Sequence, residues 1–82
     1  MTAFKYVMFE SGKFIIIPQT MIHSDVLVGG KVHSAGFVEF AEVKNNDGEI
    51  EMRAYCWGRS TSLQKDCDKE NDERIMNIAM RL

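Results

Sequence analysis

Ile50-Glu51-Met52-Arg53-Ala54-Tyr55-Cys56-Trp57 is the stretch on which the fold turns: Ile50, Met52, Ala54 and Cys56 alternate strictly with Glu51, Arg53, Tyr55 and Trp57. A period of two predicts a β-strand with one buried and one wet face. Just upstream, Asn45-Asn46-Asp47-Gly48 is the strongest turn signal in the chain and makes the strand the second arm of a hairpin. The first arm runs from about Lys31 to Val43, with Val38 and Phe40 on one face and Ala41 and Val43 on the other. Gly36 interrupts it, and the missing side chain permits a bulge or a close backbone approach.

Toward the amino terminus, Lys5 to Phe9 and Lys13 to Ile17 read as a second hairpin turned by Glu10-Ser11-Gly12. Phe14, Ile15, Ile16 and Ile17 are all apolar, which predicts cover on both faces and an interior place in the sheet, ended by Pro18. Thr20 or Ser24 is placed to cap a short helix carrying Ile22, Val26 and Leu27 up to Gly29-Gly30. After the Ser/Thr-rich stretch, the acids from Asp66 to Glu73 suit a helix amino terminus, and Ile75, Ile78, Ala79 and Leu82, widened by Met76 and Met80, recur at helical spacing. The expected architecture is one α+β domain over residues 1–82: a mainly antiparallel sheet of about four strands in ββαββα order, with an amphipathic carboxy-terminal helix packed across it.

Size and charge narrow the function. A chain of 82 residues hides only about 60% of its unfolded surface, so self-association is an expected way to bury more, and a homo-oligomer is predicted. Ten Lys and Arg scattered singly among twelve acids give a net charge of −2, which argues against general nucleic-acid binding. The longest apolar run, Phe14 to Ile17, is far too short to span a bilayer and the first residues carry no signal-peptide pattern, so the expected location is the cytoplasm, with Cys56 and Cys67 reduced.

Signals for chemistry are thin. His23-Ser24-Asp25 and His33-Ser34 bring together residue types of a hydrolytic triad, but neighbours two apart on a helix point in different directions and no Gly-x-Ser-x-Gly elbow exists. Ser24 or Asp25 as a helix cap is the plainer reading. His23, Asp25, His33, Cys56 and Cys67 lack metal-ligand spacing, and Gly29-Gly30-Lys31 is too short for a phosphate loop. No catalytic residue, metal or cofactor is therefore expected. The binding candidates are Tyr55 and Trp57 as stacking surfaces, Arg59 with Ser60, Thr61 and Ser62 as an anion-binding nest, and His23, Ser24 and Asp25 beside them. Against this stands a plain loop whose neighbouring aromatics are buried in a dimer interface.

His23-Ser24-Asp25-Val26 after Pro18, then Ser34-Ala35-Gly36-Phe37-Val38, then Trp57-Gly58-Arg59-Ser60-Thr61-Ser62-Leu63 together resemble short bacteriophage and prophage proteins, although Gln64 stands where those proteins often have glycine. The resemblance carries over no catalytic residue. It implies a small non-enzymatic accessory binder in the host cytosol, with a counter-defence role: an oligomer sequestering a nucleotide-like or other anionic small ligand, or an anti-CRISPR-like inhibitor covering a host defence protein. A small hydrolase is a third reading.

Overall fold

The alternating stretch forms a strand, and its partner is the long strand before it. In the computed structural model, which describes residues 3–23 and 30–80, the elements are β1 (Phe4–Phe9), β2 (Phe14–Ile17), β3 (Val32–Lys44), β4 (Ile50–Trp57), β5 (Arg59–Ser60), β6 (Lys65–Asp66) and α1 (Lys69–Met80). β3 and β4 pair antiparallel, with Phe37 opposite Trp57, Val38 opposite Cys56 and Phe40 opposite Ala54. Their turn closes as its residues dictate: Asn45 Oδ1 accepts the amides of Asp47 at 2.9 Å and Glu49 at 3.0 Å, and Gly48 takes φ +80°.

Four strands form one antiparallel sheet in the order β2-β1-β3-β4, and β5 and β6 form a separate two-stranded ribbon. Register assigns the faces. On one, Tyr6, Met8, Val38, Ala54 and Cys56 are fully buried with Met76 of α1, and Phe4, Phe14, Phe40, Cys67 and Ile75 pack around them. On the other, Val7, Phe9 and Ala35 are buried with Ile15, Val32 and Leu63 against them. Burying these side chains is the main favourable term in folding.

Inside the helix-side core sits a buried polar network. Asp72, fully buried, accepts hydrogen bonds from the Tyr6 hydroxyl, from Ser34 Oγ at 2.7 Å and from the Asp68 amide at 3.1 Å. Burial and the neighbouring carboxylate push the Tyr6 phenol far above its usual range, so the tyrosine remains a donor. Asp72 thereby pins the first turn of α1 to β1 and β3.

α1 also closes an edge. Its residues Lys69, Glu73 and Asn77, spaced four apart on one stripe, reach the outer side of β4: Asn77 Oδ1 accepts the Ala54 amide at 2.8 Å, Glu73 Oε2 accepts the Cys56 amide at 2.7 Å, and Lys69 Nζ donates to the Cys56 carbonyl at 3.3 Å. Unpaired edge groups invite other strands, and this stripe satisfies three of them.

Several expectations change. Among the described residues the order is six strands and one helix. Ser24–Gly29, most of the expected short helix, lie outside the described residues, while Gln19, Thr20 and Met21 form turn and bend. The all-apolar β2 is an edge strand, because β1 pairs with both β2 and β3 and so takes the interior position; Tyr6, Val7 and Met8 are wholly buried whereas Ile16 is 37% exposed. The Ser/Thr-rich stretch contributes β5, and Asp66 belongs to β6, so α1 begins at Lys69. α1 packs along β4 and presents a narrower apolar contact than its spacing suggests, with Met76 buried but Ile78 52% exposed. The register irregularity in β3 falls at His33, skipped where Met8 and Phe9 pair with Ser34 and Val32, rather than at Gly36. Gly36 answers to close approach: a Cβ there would lie 2.6 Å from the Trp57 carbonyl oxygen.

Candidate functional site on the open sheet face

The odd-numbered residues of β4 decide the site. Because Trp57 lies opposite Phe37, Tyr55 opposite Glu39 and Arg53 opposite Ala41, these side chains share the face that α1 does not cover. Trp57 is 41% and Tyr55 36% exposed.

This aromatic surface is held firmly from behind. The Phe37 ring stacks on Trp57 with centroids 6.0 Å apart and an interplanar angle of 23°. Phe37 also meets the His23 ring in a T-shaped arrangement, centroids 6.1 Å apart at 81°. His23 is 4% exposed, and its Nε2–H donates to the Gly36 carbonyl at 2.8 Å, which fixes the proton on that nitrogen. Gly58, at φ +78°, lets the chain turn directly after Trp57; a Cβ there would sit 2.9 Å from the Phe37 ring. Charges flank the aromatics in both signs: Glu39 faces Tyr55, Arg53 pairs with Glu51 at 3.3 Å, and Lys69 Nζ lies 6.0 Å from the Tyr55 ring centre.

The structure unites part of the predicted set. His23 and Trp57 are joined through Phe37, which sequence reasoning did not single out; its signal was its place opposite Trp57 once the hairpin register was known. Tyr55 and Trp57 lie together. Ser24 and Asp25 lie outside the described residues. Within the expected anion nest, Ser60, fully buried, accepts the Leu63 amide at 3.2 Å and shares a hydrogen bond with Ser62 Oγ, and the Thr61 carbonyl accepts the Gln64 amide. Arg59 faces Asp66 across β5 and β6, 3.6 Å away.

Ser24 and Asp25 of the hydrolytic reading lie outside the described residues, and the described members have other partners. Ser34 donates to Asp72 rather than to an imidazole, His33 Nε2 pairs with Asp68 at 2.7 Å, and His23 is committed to the Gly36 carbonyl. A general base must reach its nucleophile, and among the described residues His23 bonds the Gly36 carbonyl and His33 the Asp68 carboxylate rather than a serine. Burial pushes the Cys56 thiol up to about 12, so it is an inert thiol at neutral pH. Among the described residues no group of three or more His, Cys, Asp or Glu is arranged to hold a metal ion, and no helix is long and apolar enough to cross a membrane. An open, polar groove lies at the hairpin end, lined by Lys44, Asn45, Asn46, Asp47, Glu51 and Arg53. Comparison with protein families, curated proteins and solved structures finds no match to this chain.

Proposed function

We propose that this chain is a non-enzymatic binding protein that covers a protein partner with the Tyr55–Trp57 face. The observation that carries this reading is the exposed Trp57, supported by the Phe37 and His23 rings on the face of the sheet opposite α1. Small ligands favour concave, mostly apolar pockets, whereas the groove at the hairpin is open and polar. Tryptophan, tyrosine and arginine are the residues that dominate protein interfaces, and a rigid aromatic loses little entropy on binding. The mixed charges of Glu39, Arg53 and Glu51 suit a polar rim better than an anion site. Of the two roles that the phage resemblance implies, inhibition of a defence protein therefore fits better than sequestration of a nucleotide-like ligand, whose proposed anchors Arg59, Ser60 and Ser62 already have partners.

The test is co-purification from the cell of origin with native and Trp57→Ala chains. The reading expects one partner at defined stoichiometry, lost on substitution while the circular dichroism is unchanged. Trp57 is also the only tryptophan, so its emission reports the site directly. Saturable quenching by a nucleotide, with no protein partner, would overturn the reading in favour of the small-ligand role.

A further inference from the structure

We propose that the chain forms a twofold dimer by pairing the open end of β4 with the same stretch of a second copy, antiparallel, with Met52 opposite Met52. The inference does not rest on the function proposed above.

The backbone phase of β4 is set at both ends. The Ala54 and Cys56 amides point outward to Asn77 and Glu73, while the Glu49 carbonyl points inward to the Asn45 amide at 2.9 Å. Even-numbered residues therefore turn their backbone groups away from β3. α1 sheathes this edge at residues 54 and 56 but not at residue 52, so Met52 offers an outward N–H and C=O that no described group takes. The side chains at that end are apolar and wet: Ile50 is 63% and Met52 49% exposed. Met80, 39% exposed, lies three residues beyond Asn77 on the helix that runs antiparallel to β4, toward Met52.

Charge selects both the partner and the register. Centred on Met52, a second copy sets Glu51 against Arg53 of the partner subunit, and the reverse, on the face where each chain already pairs Glu51 with Arg53 at 3.3 Å. Like charges directly opposite are destabilising. Centring on Ile50 would oppose Glu51 and Glu49, centring on Glu51 would oppose that residue to itself, and centring on Arg53 or Ala54 calls on the Ala54 amide that Asn77 holds. The Glu51 register also sets Glu49 against Arg53, but the Met52 register alone joins opposite charges with no like charges opposed, and it leaves the central backbone pair free. It is a short ladder, closed at Ala54 by Asn77, and its apolar gain comes from Ile50, Met52 and Met80 of both copies. The axis stands normal to the sheet, so both Tyr55–Trp57 faces look the same way.

Native mass spectrometry and light scattering of the full chain should show a dimer. Met52→Cys with oxidised glutathione should yield one cross-linked dimer, since Cα atoms of a hydrogen-bonded pair lie about 5.5 Å apart, within disulfide reach; Asn46→Cys should not. Glu51→Arg or Arg53→Glu alone should weaken association at least about tenfold, and the two together should restore it, each variant keeping the native circular dichroism. A native chain that stays monomeric up to millimolar concentration, equal cross-linking at positions 46 and 52, or a double charge swap that fails to restore association would overturn the proposal.

Discussion

Replacing Asp72 by alanine should remove about half of the protein's stability. The carboxylate is fully buried and accepts from two buried hydroxyls, Tyr6 and Ser34, besides the Asp68 amide. A buried hydroxyl left without a partner costs about 1–3 kcal/mol, so stranding both costs about 4 kcal/mol. A chain of this length has roughly 8 kcal/mol in total at about 0.1 kcal/mol per residue. Tyr6→Phe removes one donor from a carboxylate that keeps Ser34, Asp68 and Asn71 as partners, and should cost about 1.5–2 kcal/mol. Urea unfolding followed by far-ultraviolet circular dichroism measures both, and with a slope of about 1 kcal/mol per molar the Asp72→Ala midpoint should fall by about 4 M. A double-mutant cycle between Tyr6→Phe and Asp72→Ala should give a coupling of about 1–2 kcal/mol. An Asp72→Ala loss below about 1 kcal/mol, or strict additivity in the cycle, would refute the view that this network pins α1 to the sheet.

Gly36→Ala should destabilise by about 2 kcal/mol or more in the same urea assay, because the new Cβ meets the Trp57 carbonyl at 2.6 Å, backbone that cannot swing aside. The alkaline limb follows from Cys56 and Tyr6, whose folded forms hold their protons to higher pH than the unfolded chain does. Between pH 9 and about 12 the unfolded thiol is ionised while the native one is not, so stability is intact below pH 9 and declines as pH rises, with Tyr6 adding to the fall above pH 10; denaturant titrations at pH 7, 9 and 10.5 should show it, and Cys56→Ala should lessen the first part. Glu73→Ala combined with Asn77→Ala exposes the Ala54 and Cys56 amides and should promote association beyond the dimer, visible by light scattering, whereas Arg74→Ala on the outer face of α1 should not.

The sequence is legible where one local rule governs. In the second half of β4 Ala54 and Cys56 are buried toward α1 while Tyr55 and Trp57 stay exposed, as the alternation predicts, but Ile50 and Met52, expected on the same buried face, are 63% and 49% exposed; Asn45 with Gly48 spells out the turn before them. β2 misleads because four apolar residues in a row suggest cover on all sides, whereas its place depends on which strand β1 takes as its second partner, and that is a tertiary choice. β5 and β6 are two residues each, too short for any period to show. Asp72 reads as an ordinary first-turn acid, since a favourable dipole contact explains it equally well; only the packed structure reveals that it serves two buried hydroxyls. The candidate site was half legible: Tyr55 and Trp57 stood out as aromatics on a wet face, but the role of Phe37 required the β3–β4 register, and the hydroxyl run after Trp57 is absorbed by the turn it builds.

The central claim, that the Tyr55–Trp57 face is the binding surface, is tested most directly by site-specific photo-cross-linking. A benzophenone amino acid is placed at position 55 in the cell of origin and, as a control, at Asn46 in the hairpin turn. The account predicts one discrete protein adduct from position 55, absent from position 46 and lost on Trp57→Ala. No adduct from position 55, or the same adducts from both positions, would contradict it.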